Sequence, residues 1–163
     1  QHFCYHLPFS RMAEKAHAAL HKAQLGAAPG SKTLQVQIGD TLHYNRQTGN
    51  SYSAAIYAGL ASLLDRSEQP LEGRRVGFYS YGSGCVGEFF SGVVQPGYRR
   101  DLGSAARLEM LSSRNALSIE GYEAMFNYAI PTDGSFLEIP IHDVGRFRLA
   151  AIRDHKRIYE AVN

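Results

Sequence analysis

The stretch RRVGFYSYGSGCVGEFFSGVV, residues 74–94, constrains the fold more than any other part of the chain. Apolar and aromatic residues run from Val76 to Tyr81, Gly82 and Gly84 interrupt them, and strand-like alternation resumes at Val86. Two strand-like runs joined by a short glycine-bearing bend predict an antiparallel hairpin. Cys85 stands in that bend. Strand, sharp turn and thiol are the parts of a presented nucleophile, but a small residue filling a tight bend gives the same pattern.

Around the hairpin, helical and strand-like segments alternate. QHFCY opens like a strand, Pro8 stops it, and Ser10 stands where it can cap a helix over RMAEKAHAALHKAQ. Met12, Ala16, Ala19, Leu20 and Ala23 form a narrow stripe of small apolar residues on that helix. Residues 33–48 carry two patterns at once, strand-like alternation in TLQVQIGDTL and apolar pairs four apart, so that segment stays open between strand and helix. GNSYSAAIYAGLASLLDR predicts a helix capped by Ser51 or Ser53, apolar nearly all round and therefore buried. Residues 101–130 read as two helical pieces. The second, LSIEGYEAMF, starts at Ser118 without the glutamate of a capping box. IPTDGSFLEIP reads as a loop, and GRFRLAAI as a last strand before a polar end. This order predicts a layered α/β domain, and 163 residues suffice for one.

Several function classes are excluded. The formal charge of +2 comes from scattered basic residues, and the pairs Arg74-Arg75 and Arg99-Arg100 read as solvated surface, so no nucleic-acid partner is expected. Cys4 and Cys85 make no disulfide framework. His2, His6, His17 and His21 look like a cluster, but His17 and His21 lack the glutamate between them and the third ligand of a metalloprotease motif, so no metal is expected. No apolar run reaches the ~18–20 residues of a membrane span, and no signal peptide is evident. A cytoplasmic protein without a membrane partner is expected. The opening, strand-like at once and without methionine, reads as a chain entered in mid-protein.

Three polar residues stand at the ends of expected elements, beside Gly or Pro, where backbone can approach a ligand: His6 in YHLPF, Asn50 in TGNSY and Ser83 in SYGSG. Each also has a plain structural reading. His6 can be a core histidine bonded to a carbonyl, Asn50 a helix cap and Ser83 a turn residue. Local sequence leaves both readings of each open. The helix that follows Asn50 adds free N–H groups that favour a developing negative charge.

Taken together, YHLPFSRMAEKAH, GNSYSAAIYAGLASLL, VGFYSYGSGCVGEFFSG and GRFRLAAIRDHKRIYE resemble the C-terminal part of the hydroxymethylglutaryl-CoA synthase family, in the thiolase superfamily. The resemblance implies an α/β fold, the C-terminal half of a thiolase-like layered α-β-α structure. Residues 1–163 would be that second half, with the first half, carrying the nucleophile and base, outside this chain. It also implies an acyltransferase that forms a C–C bond. An acetyl group is loaded onto a cysteine, a glutamate removes a methyl proton, the carbanion equivalent attacks the β-ketone of an acyl thioester, and water releases the product.

Carried over residue by residue, the resemblance gives His6 the polarising of the ketone oxygen and Asn50 the holding of the acceptor thioester. The backbone N–H of Ser83 would join an oxyanion hole, and Tyr81 would shape its pocket. Arg11 stands where the family often has lysine, near the pantetheine or CoA end of the acceptor; charge is kept and contact geometry changes. The family's nucleophile lies upstream of these motifs. Cys85 and Cys4 are therefore off-motif, and Cys85 is expected to be a packing residue beside the loop.

CVGEFFSG and the C-terminal segment look more like bacterial synthases of polyketide β-branching than those of the mevalonate pathway. The first expectation is therefore an enzyme working on acyl carrier proteins. The alternatives are an enzyme of acetyl-CoA and acetoacetyl-CoA, and a non-catalytic thiolase-like scaffold. The implied partners are the N-terminal half, a carrier protein or CoA thioesters, and a second copy in a homodimer. No cofactor is expected beyond the thioester carrier.

Overall fold

The expected hairpin forms, with β2 (Arg75–Gly82) antiparallel to β3 (Val86–Val93) in a register that pairs Phe78 with Phe90 and Gly82 with Val86. Only Ser83, Gly84 and Cys85 remain in the loop. In the computed structural model, which describes residues 1–141 and 145–162, the chain divides into two units, Gln1–Arg114 and Asn115–Asn163.

In the first unit, β1 (His2–Tyr5) lies parallel to β2, giving a three-stranded sheet in the order β1-β2-β3. Helices α1 (Arg11–Leu25) and α4 (Ala55–Arg66) cover its two faces. Alternation along β1 explains the division: Phe3 and Tyr5 meet His17 of α1, whereas Cys4 joins Ile56 and Leu63 of α4, Leu71, Val76 and Phe78 in one apolar cluster. A second cluster caps the strand end, combining Tyr5, Leu7, Ala13, Ile38, Leu42 and Ala55. Because Ala55 sits with the carboxyl end of β1 and Leu63 with the start of β2, α4 runs against the parallel strands, with its N-terminus at their carboxyl edge.

The ambiguous segment folds as helix, α2 (Ser31–Ile38) and α3 (His43–Thr48) with a 3-10 turn (Gly39–Thr41) between them. Burial of Ile38 and Leu42 in one cluster decides between the two patterns. Three sequence expectations are corrected here. The buried face of α1 contains Ala13 and His17, with Ala16 and Leu20 half-buried, while Met12, Ala19 and Ala23 are exposed. The stripe was displaced because His17, a polar residue, turns inward. Helix α4 is not wholly buried: Tyr57 is exposed, and the buried face is Ala55, Ile56, Gly59, Ser62 and Leu63. Neither Ser10 nor Ser51 nor Ser53 caps its helix with a side chain; α4 is entered through a 3-10 turn (Tyr52–Ala54) instead.

Small residues let α4 lie close. A Cβ added to Gly59 would stand 3.3 Å from the Thr41 carbonyl oxygen and 3.6 Å from Cys4 Cβ, so a larger side chain would push the helix off β1. Ser62 donates to the Asp40 carbonyl at 2.5 Å on the same face. At the other end of α4, Asp65 is a hub. It accepts from Arg107 Nε (2.8 Å) and Nη2 (2.7 Å), from Ser104 (2.6 Å) and from Tyr44 (2.6 Å), tying α5 (Ser104–Ser112) and α3 to α4.

Cys85 is corrected as well. It is exposed rather than packed, and its φ of 56° is left-handed. A three-residue hairpin loop requires that conformation at its last position, where glycine is usual.

The second unit begins with α6 (Ile119–Phe126), whose Ser118 accepts from the Gly121 N–H as the start signal implied. A second sheet follows, in the order β4 (Leu137–Glu138), β5 (Phe147–Arg153), β6 (Lys156–Ala161). The expected loop thus contains a short strand, and the polar end is itself a strand. It escaped notice because every residue of β6 is exposed, leaving no apolar alternation. The turn signal was present: Asp154 (φ 49°) and His155 (φ 61°) are both left-handed, as a two-residue hairpin turn requires. No described helix is long and apolar enough to cross a membrane.

Candidate active site

Because β1 and β2 are parallel, the residues just beyond them lie at one edge, the carboxyl edge, where open α/β sheets commonly bind ligands. His6 immediately follows β1, and Ser83 immediately follows β2. The turn Tyr52–Ala54 touches β2 and leads into the N-terminus of α4, which brings the Asn50 loop to the same edge. Three stretches distant in sequence therefore converge where a helix N-terminus favours negative charge.

His6 extends the ladder by one bond, its N–H donating to the Tyr79 carbonyl at 2.7 Å. Its imidazole does not find the carbonyl that a core histidine would need. Nδ1 is buried without a hydrogen-bond partner among the described residues, and the ring stands edge-to-face with that of Tyr81, with centroids 6.1 Å apart. Buried polar atoms are nearly always paired, so an unpaired one calls for a partner such as solvent, a ligand or further protein.

Asn50 is exposed and uses half of its amide. Oδ1 accepts from the Tyr52 N–H at 2.9 Å, fixing the turn before α4. The structural reading of Asn50 thus holds for its oxygen, while the amide nitrogen has no partner among the described residues and remains a donor. Nearby, Ser51 Oγ and Asn45 Oδ1 are also buried without a partner among the described residues.

Ser83 is exposed in the hairpin loop beside Gly84 and Cys85, and Tyr81 is half-exposed on the strand leading to it. Arg11 opens α1, is exposed, and makes no ion pair among the described residues. The two thiols differ sharply. Burial pushes Cys4 up to about 12, which keeps it protonated and unreactive, whereas Cys85 is open to solvent.

A partly buried polar chain behind the site carries no clear signal in sequence. Tyr5, His17, Gln37 and His21 are hydrogen-bonded in series, and only the i, i+4 spacing of His17 and His21 hinted at it.

Comparison with known proteins identifies the family of the chain. The family model for the hydroxymethylglutaryl-coenzyme A synthase C terminal matches residues 30–129, more than half of the chain. The hydroxymethylglutaryl-CoA synthase of Enterococcus faecalis is 34% identical over 155 residues, 95% of this chain and 39% of that protein. The polyketide biosynthesis 3-hydroxy-3-methylglutaryl-ACP synthase of Bacillus subtilis is 32% identical over 130 residues, 77% of this chain and 30% of that protein. Among solved structures, the HMG synthase of the curacin biosynthetic pathway, in complex with holo donor-ACP, superposes with a TM-score of 0.86 at 30% identity. That match covers 99% of this chain and 42% of the other. The chain thus spans well under half the length of the relatives it matches. It belongs to the hydroxymethylglutaryl-CoA synthase family, and its fold is the C-terminal portion of that family's thiolase-like α/β structure.

Proposed function

We propose that this chain is the acceptor-side half of a hydroxymethylglutaryl synthase, completed by an N-terminal half that supplies the cysteine nucleophile and the glutamate base. In this reading the cysteine thiolate takes the acetyl group from a carrier thioester, releasing the carrier's thiol. The glutamate removes a methyl proton, and the carbanion equivalent forms the new C–C bond at the β-ketone of the acceptor. His6 delivers a proton to the ketone oxygen as charge builds there. The free amide N–H of Asn50 holds the acceptor thioester carbonyl. The Ser83 N–H and the N-terminus of α4 stabilise the oxyanion, Tyr81 walls the pocket, and Arg11 meets the phosphate end of the pantetheine arm. Water then cleaves the acyl-enzyme. The observation that carries the reading is the buried, unpartnered Nδ1 of His6 at the strand edge shared with Asn50 and Ser83.

We propose an acyl carrier protein as the acetyl donor, in polyketide β-branching. Likeness to the Bacillus polyketide synthase and to the curacin synthase bound to its donor carrier supports it. The Enterococcus relative, a hydroxymethylglutaryl-CoA synthase, favours the second reading, in which acetyl-CoA and acetoacetyl-CoA are the substrates. The test is acetylation of the full-length protein by acetyl carrier protein and by acetyl-CoA at equal concentration. At least tenfold faster loading from the carrier protein is expected, and faster loading from CoA overturns the carrier reading. No loading from either, with a folded protein, returns the chain to the scaffold reading.

A further inference from the structure

The polar chain that runs from buried Tyr5 and His17 to half-buried Gln37 and His21 has a direction. The Gln37 side-chain oxygen lies 2.6 Å from His17 Nε2 and 3.0 Å from His21 Nε2. An amide oxygen only accepts, so both Nε2 atoms carry protons. His17 Nδ1 therefore holds a lone pair and accepts from the Tyr5 hydroxyl at 2.8 Å. His17 is wholly inaccessible to solvent, and burial lowers its pKa, which keeps it in this neutral form. Every hydrogen-bonding site of its ring is filled.

Tyr5, the end of this chain, is the residue before His6. Its ring packs 6.5 Å from that of Tyr79, and the Tyr79 carbonyl accepts the His6 N–H. Tyr5, on one side of that bond, is thus tied to α1 and α2, and Tyr79, on the other, packs against Tyr5. A leucine at position 17 would suit the apolar face of α1 equally well, but it would leave the Tyr5 hydroxyl without its acceptor.

We infer that His17 is a positioning residue: through Tyr5 it fixes the carboxyl end of β1, and with it the orientation of the His6 imidazole. The inference rests on the role proposed above for His6. The preorganised geometry of a proton donor is sensitive to small shifts, and a displacement of about 1 Å costs up to ~10²-fold in rate.

The test uses the full-length protein carrying Tyr5→Phe together with His17→Leu, which removes both polar partners and leaves no orphan. The melting temperature and the acetyl-enzyme burst should match the parent, while condensation kcat falls roughly 10- to 10²-fold with little change in acceptor KM. His17→Gln, which can accept from Tyr5 and donate to Gln37, should recover most of the loss. The ring 15N resonances of His6 should shift in the double variant and return in His17→Gln. Unchanged condensation in the double variant overturns the inference, as does an equal loss of burst and condensation, which marks a purely structural role. His6→Ala run alongside separates the two failures. If it condenses normally, the reading of His6 is what fails; if it does not condense and the double variant does, only the role of His17 falls.

Discussion

The two ends of α4 carry opposite polar environments. At its C-terminal end, Asp65 has a side chain only 3% exposed, and both of its oxygens accept two bonds each. At its N-terminal end, His6 Nδ1, Asn45 Oδ1 and Ser51 Oγ are buried without a partner among the described residues, and the exposed amide nitrogen of Asn50 has none among them either. Asp65 is thus saturated at one end, although the Tyr98 hydroxyl, in the same apolar cluster as Leu60 and Leu64, is buried without a partner among the described residues. The unpaired atoms at the other end lie beside the strand edge. Saturation accords with a structural role for Asp65, and the unpaired atoms at the strand edge accord with the site proposed above.

The largest effect expected from this contrast is at the vacant end. His6→Ala should leave melting nearly unchanged, since no side-chain bond is lost. Condensation should fall by roughly 10²–10⁴ in a stopped assay with acceptor thioester, the range for losing a positioned acid. A large fall in stability with normal turnover would reverse the assignment of the two ends.

Asp65→Asn should do the opposite, costing about 2–3 kcal/mol in denaturant unfolding while turnover per folded molecule stays the same. Its pH dependence follows from the carboxyl's pKa. Burial alone would raise it, but hydrogen bonds from Arg107, Ser104 and Tyr44 and the charge of Arg107 prevail, holding it below the ordinary 3.8. A depressed carboxyl stabilises the fold above its unfolded pKa. That contribution should disappear as pH falls below 3.8, and the variant's acid unfolding curve should lack this component.

Asn50→Asp sharpens the comparison within a single side chain. The oxygen that bonds the Tyr52 N–H is kept and the free donor is removed, so stability should hold while acceptor KM rises roughly tenfold, the worth of one hydrogen bond. Equal damage to both would mean that the turn is the whole role of Asn50. The smallest effect belongs to Cys85→Gly. Relief of the left-handed strain should stabilise the hairpin by roughly 0.5–1 kcal/mol in thermal unfolding, with turnover retained.

Much of this architecture was legible in sequence, and the misses share a cause. The β2–β3 hairpin announces itself through aromatic alternation broken by Gly-Ser-Gly, and α4 through its apolar run. Periodicity assumes that polar residues face water. It therefore misplaced the face of α1, where His17 is buried because Tyr5 and Gln37 satisfy it, and it missed β6, which is exposed throughout. His6, Asn50 and Ser83 stand out as candidates in sequence because short motifs mark them. The chain from His21 to Tyr5 was not, because its partners meet only after α1 and α2 have packed on β1.

The central proposal is that this segment holds the acceptor side of the site and that the nucleophile lies outside these 163 residues. Locating the acetyl group tests it most directly. The full-length protein is loaded with labelled acetyl donor, quenched in acid, digested, and mapped by mass spectrometry. The label is predicted on a cysteine peptide outside these 163 residues, with Cys4 and Cys85 recovered unmodified. Stoichiometric acetyl on Cys85, chased into product when acceptor is added, would contradict the account.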